Sequence, residues 1–112
     1  MTLEQVKQLS DEQIRIKVAE LLGWRPYSAN KNKDPKELWL RDTYSNVLPK
    51  YSTDLNACHE MEETLNDSQK DNFEYVLGIV IGSGRERWRW HLLHATARQR
   101  CEAFIAAKER ET

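Results

Sequence analysis

The spacing of hydrophobic residues first indicates a helix near residues 11–22. Its apolar positions recur at the spacing of one helix face: Ile14, Val18, Leu21 and Leu22. Ser10 and Gln13 stand three residues apart, as in a capping box, where each side chain accepts a hydrogen bond from the other residue's backbone amide. Gly23 is placed to end the helix in the left-handed conformation.

The same spacing predicts two further helices. One lies near residues 53–66, with Ser52 or Thr53 as its N-cap and with a stripe of four apolar residues: Leu55, Cys58, Met61 and Leu65. The other lies near residues 97–108, and its buried stripe also has four residues: Ala97, Cys101, Phe104 and Ile105. Thr96 and Gln99 would form the capping box of this last helix.

Residues 73–94 alternate instead, which favours a β-hairpin. Five apolar side chains occupy every second position of the first half: Phe73, Tyr75, Leu77, Ile79 and Ile81. The following "GSG" supplies a turn, in a register that places Leu77 opposite Trp90 and Ile79 opposite Trp88 on one apolar face. A helix is the alternative, because four residues also fit one helical face: Phe73, Val76, Leu77 and Val80.

Residues 24–51 have no clean hydrophobic period and are expected to form an irregular loop. The stretch "ELWLRD" is a candidate short strand. The loop contains five aromatic residues, which we expect to fix it to the core rather than to line a pocket: Trp24, Tyr27, Trp39, Tyr44 and Tyr51.

Together these elements predict one α+β domain over residues 1–112, an α/β/α sandwich in which three helices cover a small antiparallel sheet made by the hairpin 73–94. A two-stranded hairpin leaves both edges unpaired, and an apolar second face would also need covering. We therefore expect a homo-oligomer.

Three stretches together resemble the phage ABA sandwich domain, a family of small phage and prophage proteins. They are "LLGW" at 21–24, "LPKYSTDLNACHEMEETL" at 48–65, and the segment from Trp90 through "ATARQRCEAFI" to Ile105. The resemblance implies the layered fold and a phage-encoded protein in the bacterial cytoplasm, and it supplies no catalytic residue. The loop 24–47 departs most from the family pattern.

Charge and composition exclude several partner classes. The chain has 17 basic and 18 acidic residues, a net charge of −1, so no overall field attracts duplex nucleic acid or anionic lipid. The longest apolar run, 75–81, is far shorter than the roughly 20 residues of a membrane span. The N-terminus lacks a basic and then apolar leader, which favours the cytoplasm. Cys58 and Cys101 are accordingly expected to be reduced core thiols.

No motif for catalysis or for a metal or cofactor is found. His91 and His94 would point to opposite faces of a strand, and "HEME" at 59–62 is not the H-E-x-x-H zinc pattern. "GIVIGSGRE" lacks the lysine and the spacing of a phosphate-binding P-loop. We therefore expect a non-enzymatic protein.

The segment "RERWRWHLLHATARQR" at 85–100 carries five arginines and is the candidate ligand site. Its proposed anion-binding residues are Arg87, Arg89, His91, Arg98 and Arg100. Cations in the first turn of a helix oppose its dipole, and a bound anion would reverse that penalty. Arginines beside aromatics suit phosphates and stacked bases. The sequence thus favours sequestration of a nucleotide-type ligand, as a counter-defence factor. Two alternatives stay open, a module that binds and blocks a host protein, and arginines that are simply solvated.

Overall fold

The fold is taken from a computed structural model that describes residues 2–82 and 94–110. Two helices open the chain, α1 (Leu3–Lys7) and α2 (Asp11–Leu21). Three short strands follow, β1 (Arg25–Pro26), β2 (Trp39–Arg41) and β3 (Tyr44–Asn46). Three more helices complete the described part, α3 (Leu55–Glu63), α4 (Asp67–Ile81) and α5 (Ala97–Arg110). The α+β class is confirmed.

The capping boxes predicted for α2 and α5 are present in the structure. Ser10 and Gln13 form the capping box of α2, with distances of 3.1 and 2.8 Å between the bonded atoms. Thr96 and Gln99 form the same box at the start of α5, at 2.9 and 3.1 Å. Gly23 follows α2 with a φ of 93°, a left-handed conformation that only glycine adopts without strain.

The N-cap of α3 differs from the prediction. Asp54 caps the helix through a 2.9 Å bond from the Asn56 amide. Ser52 is buried, and its hydroxyl donates instead to the Asp11 carbonyl at 3.1 Å, which joins this segment to the start of α2. The N-cap thus lies one or two residues later than predicted, and Leu55, placed on the apolar stripe from sequence, is the first residue of α3 and is 48% exposed.

The predicted hairpin at 73–94 is wrong for its first strand, since residues 67–81 form the single helix α4. The four residues of the alternative helical face are the buried ones: Phe73, Val76, Leu77 and Val80. Tyr75 and Ile79, which alternation placed in the core, are 64% and 50% exposed. The proposed partners Trp88 and Trp90 lie outside the described residues. The expected homo-oligomer stays a prediction. Its main argument, the unpaired edges of the hairpin, no longer applies to residues 73–81.

The sheet lies instead in the segment expected to be irregular. β2 pairs antiparallel with both neighbours, Pro26 facing Trp39 on one side and Arg41 facing Tyr44 on the other. The strand predicted at "ELWLRD" is thereby confirmed. The loop between β1 and β2 closes around the buried Asn30, whose amide donates to the Asp34 carbonyl at 2.9 Å and to the Leu38 carbonyl at 3.2 Å.

The aromatic residues of this segment mostly fix it to the core, as expected. Trp24, Trp39 and Tyr51 are buried, and the Trp39 indole donates to the Asp34 carbonyl at 2.9 Å. Burial raises the pKa of the Tyr51 hydroxyl, although a hydrogen bond with Trp24 lowers it in part. Tyr27 is exposed, and the Tyr44 side chain is outside the described part of the structure.

Helix α5 is the centre of the fold. Residues 101–107 are all buried, including the stripe residues Cys101, Phe104 and Ile105. The α1, α2, α3 and α4 helices all pack against α5. Four of the buried residues of α5 are alanines, at 97, 103, 106 and 107, and small side chains let neighbouring helices approach closely. Residues on different sides of α5 therefore lie near different helices.

Candidate functional site

The structure separates the two described members of the predicted arginine site. Arg98 and Arg100 are two residues apart on α5, so their side chains leave the helix about 200° apart. Arg98 contacts the junction of α1 and α2, whereas Arg100 contacts α3. Arg87, Arg89 and His91 lie outside the described residues. The anion site predicted from sequence stays a prediction, and the described arginines do not converge on one point.

Arg98 joins three parts of the chain. Its guanidinium lies 2.8 Å from the Asp11 carboxylate and 3.3 Å from the Glu102 carboxylate. It also donates to the Lys7 carbonyl at 3.1 Å and to the Leu9 carbonyl. Every one of these partners accepts hydrogen bonds, so the side chain already serves two carboxylates and two peptide groups. This arrangement supports a structural role.

Arg100 is likewise occupied by neighbouring residues. Its guanidinium lies 2.8 Å from the Glu62 carboxylate on α3 and donates to the Ala95 carbonyl at 3.4 Å. The Arg100 and Glu62 side chains are both largely buried, at 12% and 19% exposure. A partly buried ion pair is screened less by salt than an exposed one. The pair therefore holds α5 against α3.

A cleft of about 450 Å³ opens beside this ion pair, between α3, α4 and α5. Its floor is apolar: Leu65, Phe73 and Leu77. Its rim is polar: His59, Glu62, Glu63, Lys70, Glu74 and Arg100. The volume falls within the range of about 300–1,000 Å³ that is typical of ligand sites.

Helix periodicity explains why α4 lines this cleft. Lys70, Glu74 and Leu77 succeed each other at intervals of four and three residues and so share one side of the helix. Phe73 lies next to them, turned further toward the core. Helix α4 therefore contributes polar rim residues, Lys70 and Glu74, directly beside the apolar face that it buries in the core.

The segment 60–74, which includes the end of α3 and the first half of α4, is rich in acidic residues. Between residues 60 and 74 the sequence has six carboxylates and one lysine. On the rim, Glu62 is paired with Arg100, whereas among residues 2–82 and 94–110 no hydrogen bond or ion pair reaches the Glu63 or Glu74 side chain. Because the net charge of the chain is only −1, this acidity is local. Among the lining residues, three glutamates face Lys70 and Arg100, so the rim beside the apolar floor carries a small net negative charge.

A second cleft, of about 520 Å³, lies between the start of α2 and residues 47–53. The Arg15 side chain there donates to the Leu48 and Pro49 carbonyls and is buried. Asp11, on the same wall, is bound by Arg98. The charges in this cleft hold the chain together and leave less for a ligand.

Sequence reasoning missed the cleft because it placed α4 in a hairpin. Leu77, now part of the cleft floor, was expected to lie opposite Trp90 in that hairpin. One signal was available, the "NDSQ" start, in which Asn66 and Gln69 form the capping box of α4 with distances of 2.8 and 2.9 Å. That pattern precedes a helix and not a strand.

The described residues contain no cluster of three or more histidine, cysteine, aspartate or glutamate side chains able to hold a metal ion. Within the same ranges, no helix is long and apolar enough to cross a membrane. Comparisons with protein-family models, with curated proteins and with solved structures give no significant match.

Proposed function

We propose that the chain is a non-catalytic protein-binding module whose α3–α4–α5 cleft takes a basic amphipathic segment of a partner protein. The observation that carries the proposal is an apolar floor, formed by Leu65, Phe73 and Leu77, under a rim whose Glu63 and Glu74 carboxylates make no ion pair with any residue that the structure describes. A segment with leucine-like and lysine-like side chains on one face would complement both features.

Electrostatics give this occupant an advantage over others. The acidic surface at 60–74 attracts a basic segment and speeds its association, which makes the binding sensitive to salt. A nucleotide phosphate would be repelled from the same rim. Nucleotide sequestration through the arginine segment stays a separate prediction, whose residues Arg87, Arg89 and His91 lie outside the described ranges.

The resemblance to phage ABA sandwich proteins adds a source and a partner class to the proposal. A phage-encoded module of this kind would bind and block a host protein in the bacterial cytoplasm. This part of the proposal is supported by the sequence motifs at 21–24, 48–65 and 90–105.

The proposal can be tested with a designed peptide. The probe is a labelled helical peptide with leucines on one face, flanked by lysines, and its binding is measured by fluorescence anisotropy at two salt concentrations. We expect binding that weakens as salt is raised. Replacement of the peptide lysines by glutamates should abolish it, and replacement of the leucines by serines should weaken it strongly.

A pair of matched variants locates the binding. Glu63→Gln with Glu74→Gln removes two rim charges without changing side-chain size, and it should weaken binding about 2- to 30-fold, since each exposed ion pair contributes about 0.2–1 kcal/mol. Glu4→Gln with Glu37→Gln removes the same charge from exposed positions outside the cleft lining. Equal losses in the two double variants, or equal binding of the basic and acidic peptides, would contradict the proposal.

A further inference from the structure

The two cysteines of the chain meet in the core. Cys58 lies on α3 and Cys101 on α5, 43 residues apart in sequence, and both are fully buried. Their Sγ atoms are 3.8 Å apart. Both sulfurs also lie within hydrogen-bonding distance of the same acceptor, the Tyr51 carbonyl, at 2.8 and 3.1 Å. The shared acceptor aims the two sulfurs at one point between the helices.

We propose that Cys58 and Cys101 form a redox-active dithiol, which closes to an intramolecular disulfide when the protein meets a small-molecule disulfide oxidant. A disulfide has a sulfur–sulfur distance of about 2.0 Å. The sulfurs must therefore approach from 3.8 Å, and we expect rotation of the two side chains about their Cα–Cβ bonds to bring them together. This inference concerns the two thiols alone and does not depend on the proposed function.

The chemistry is two successive thiol–disulfide exchanges. The thiolate of one cysteine attacks a sulfur of the oxidant, forms a mixed disulfide and releases one small thiolate. The second cysteine then attacks the protein sulfur of that mixed disulfide, which forms the Cys58–Cys101 bond and releases the second small thiolate. The two protons of the protein thiols end on the two released thiols, and the disulfide bond of the oxidant is reduced.

The surroundings of the pair make this reaction slow at neutral pH. The pKa of the Cys101 thiol is raised, first by its hydrogen bond with Cys58 and then by burial, so the nucleophilic thiolate is rare. Both thiols are shielded from solvent, so the oxidant reaches them only after a local opening of the α3–α5 contact. The rate should therefore rise with pH and with denaturant added below the unfolding transition.

The disulfide would tie α3 to α5 and close a long loop of the chain. A cross-link of this span restricts the unfolded chain and stabilises the folded one. Oxidation also removes both S–H donors from the Tyr51 carbonyl, which offsets part of this gain. We expect a net rise of several degrees in Tm.

The test is oxidation of the full chain by oxidised glutathione over a pH series, with and without urea below the unfolding transition. Samples are quenched in acid, alkylated under denaturing conditions and weighed by mass spectrometry. We expect both thiols to disappear together, with the loss of two hydrogen atoms, no retained glutathione, a monomeric band on a non-reducing gel and a higher Tm. Reduction should reverse each change.

Single Cys58→Ala and Cys101→Ala variants serve as controls and should show at most a mixed disulfide. The proposal is overturned if the wild type keeps both thiols at the highest pH in urea, or if it accumulates a stable mixed disulfide or intermolecular cross-links. It is equally overturned if the oxidised wild type loses its native circular dichroism or has a lower Tm.

Discussion

Replacement of Arg98 by alanine should destabilise the fold substantially. The guanidinium binds the carboxylates of Asp11 and Glu102 and two carbonyls of the α1–α2 junction, and only 26% of the side chain is exposed. Hydrogen bonds to charged groups contribute about 1.5–3 kcal/mol each when buried, but solvent screening and exposure reduce that figure here. The Glu102 side chain, 9% exposed, would also lose its cation. We expect a loss of about 2–4 kcal/mol in the free energy of unfolding.

Urea denaturation followed by circular dichroism measures this loss. Arg25→Ala is the matched control, because its side chain is exposed and makes no hydrogen bond or ion pair within the described part of the chain, and it should change stability by no more than about 0.5 kcal/mol. Arg98→Lys should fall between the two, since an ammonium group cannot reach four acceptors as a guanidinium does. If Arg98→Ala unfolds at the same urea concentration as Arg25→Ala, the structural role is wrong and a ligand-binding role for this arginine gains support.

Further measurements test the remaining expectations. In urea denaturation, Phe73→Ala should cost about 3–5 kcal/mol and Tyr75→Ala less than about 1 kcal/mol, because Phe73 is buried and Tyr75 is 64% exposed; the reverse order would favour the strand predicted from sequence. Lys17, 3.0 Å from Glu109, lowers the pKa of that carboxyl, so NMR titration of Lys17→Met should show that pKa rising. Because the pKa of Glu109 is lowered in the folded state, this ion pair stabilises the fold fully at pH values above the ordinary glutamate pKa of about 4.3. Its contribution is lost as the pH falls through the folded pKa. Sedimentation should show the homo-oligomer predicted from sequence, which a monomer at micromolar concentration would contradict. Calorimetry with cyclic and linear nucleotides tests the predicted sequestration, which the absence of heat would contradict.

The helix starts were the most predictable part of the fold. A capping box is a contact between residues three apart, so its pattern is visible in sequence, as Ser10 with Gln13 and Thr96 with Gln99 show. The one cap chosen wrongly, at α3, had several capping residues in succession. Asp54 prevailed because Ser52 has a distant partner, Asp11, 41 residues earlier in the chain.

The stretch 73–81 shows why periodicity alone was insufficient. Its residues are almost all apolar, so they fit both a strand and a helix. What decides between them is the packing of α4 against α5, which a local pattern does not contain. The exposed Tyr75 and Ile79 are the residues that misled the prediction.

The candidate site was less predictable for the same reason. The partners of Arg98 and Arg100 lie as far as 91 and 38 residues away, so the sequence indicated a concentration of arginine but not its ion pairs. The cleft needs three helices in position, and one of them was predicted as a strand. The acidic residues at 60–74 were visible in sequence, but only the structure shows the apolar floor beside them that makes a binding site.

The most direct test of the proposed function is NMR mapping of the leucine–lysine peptide on the protein. Titration into isotopically labelled protein should shift the backbone amides of α3 and α4 around the cleft, above all Glu63, Lys70 and Glu74, and leave those of β1 to β3 in place. The Glu63→Gln, Glu74→Gln variant should need more peptide to reach the same shifts. Shifts confined to residues outside 59–77 and Arg100, or no shifts at all, would contradict a basic-segment site in this cleft.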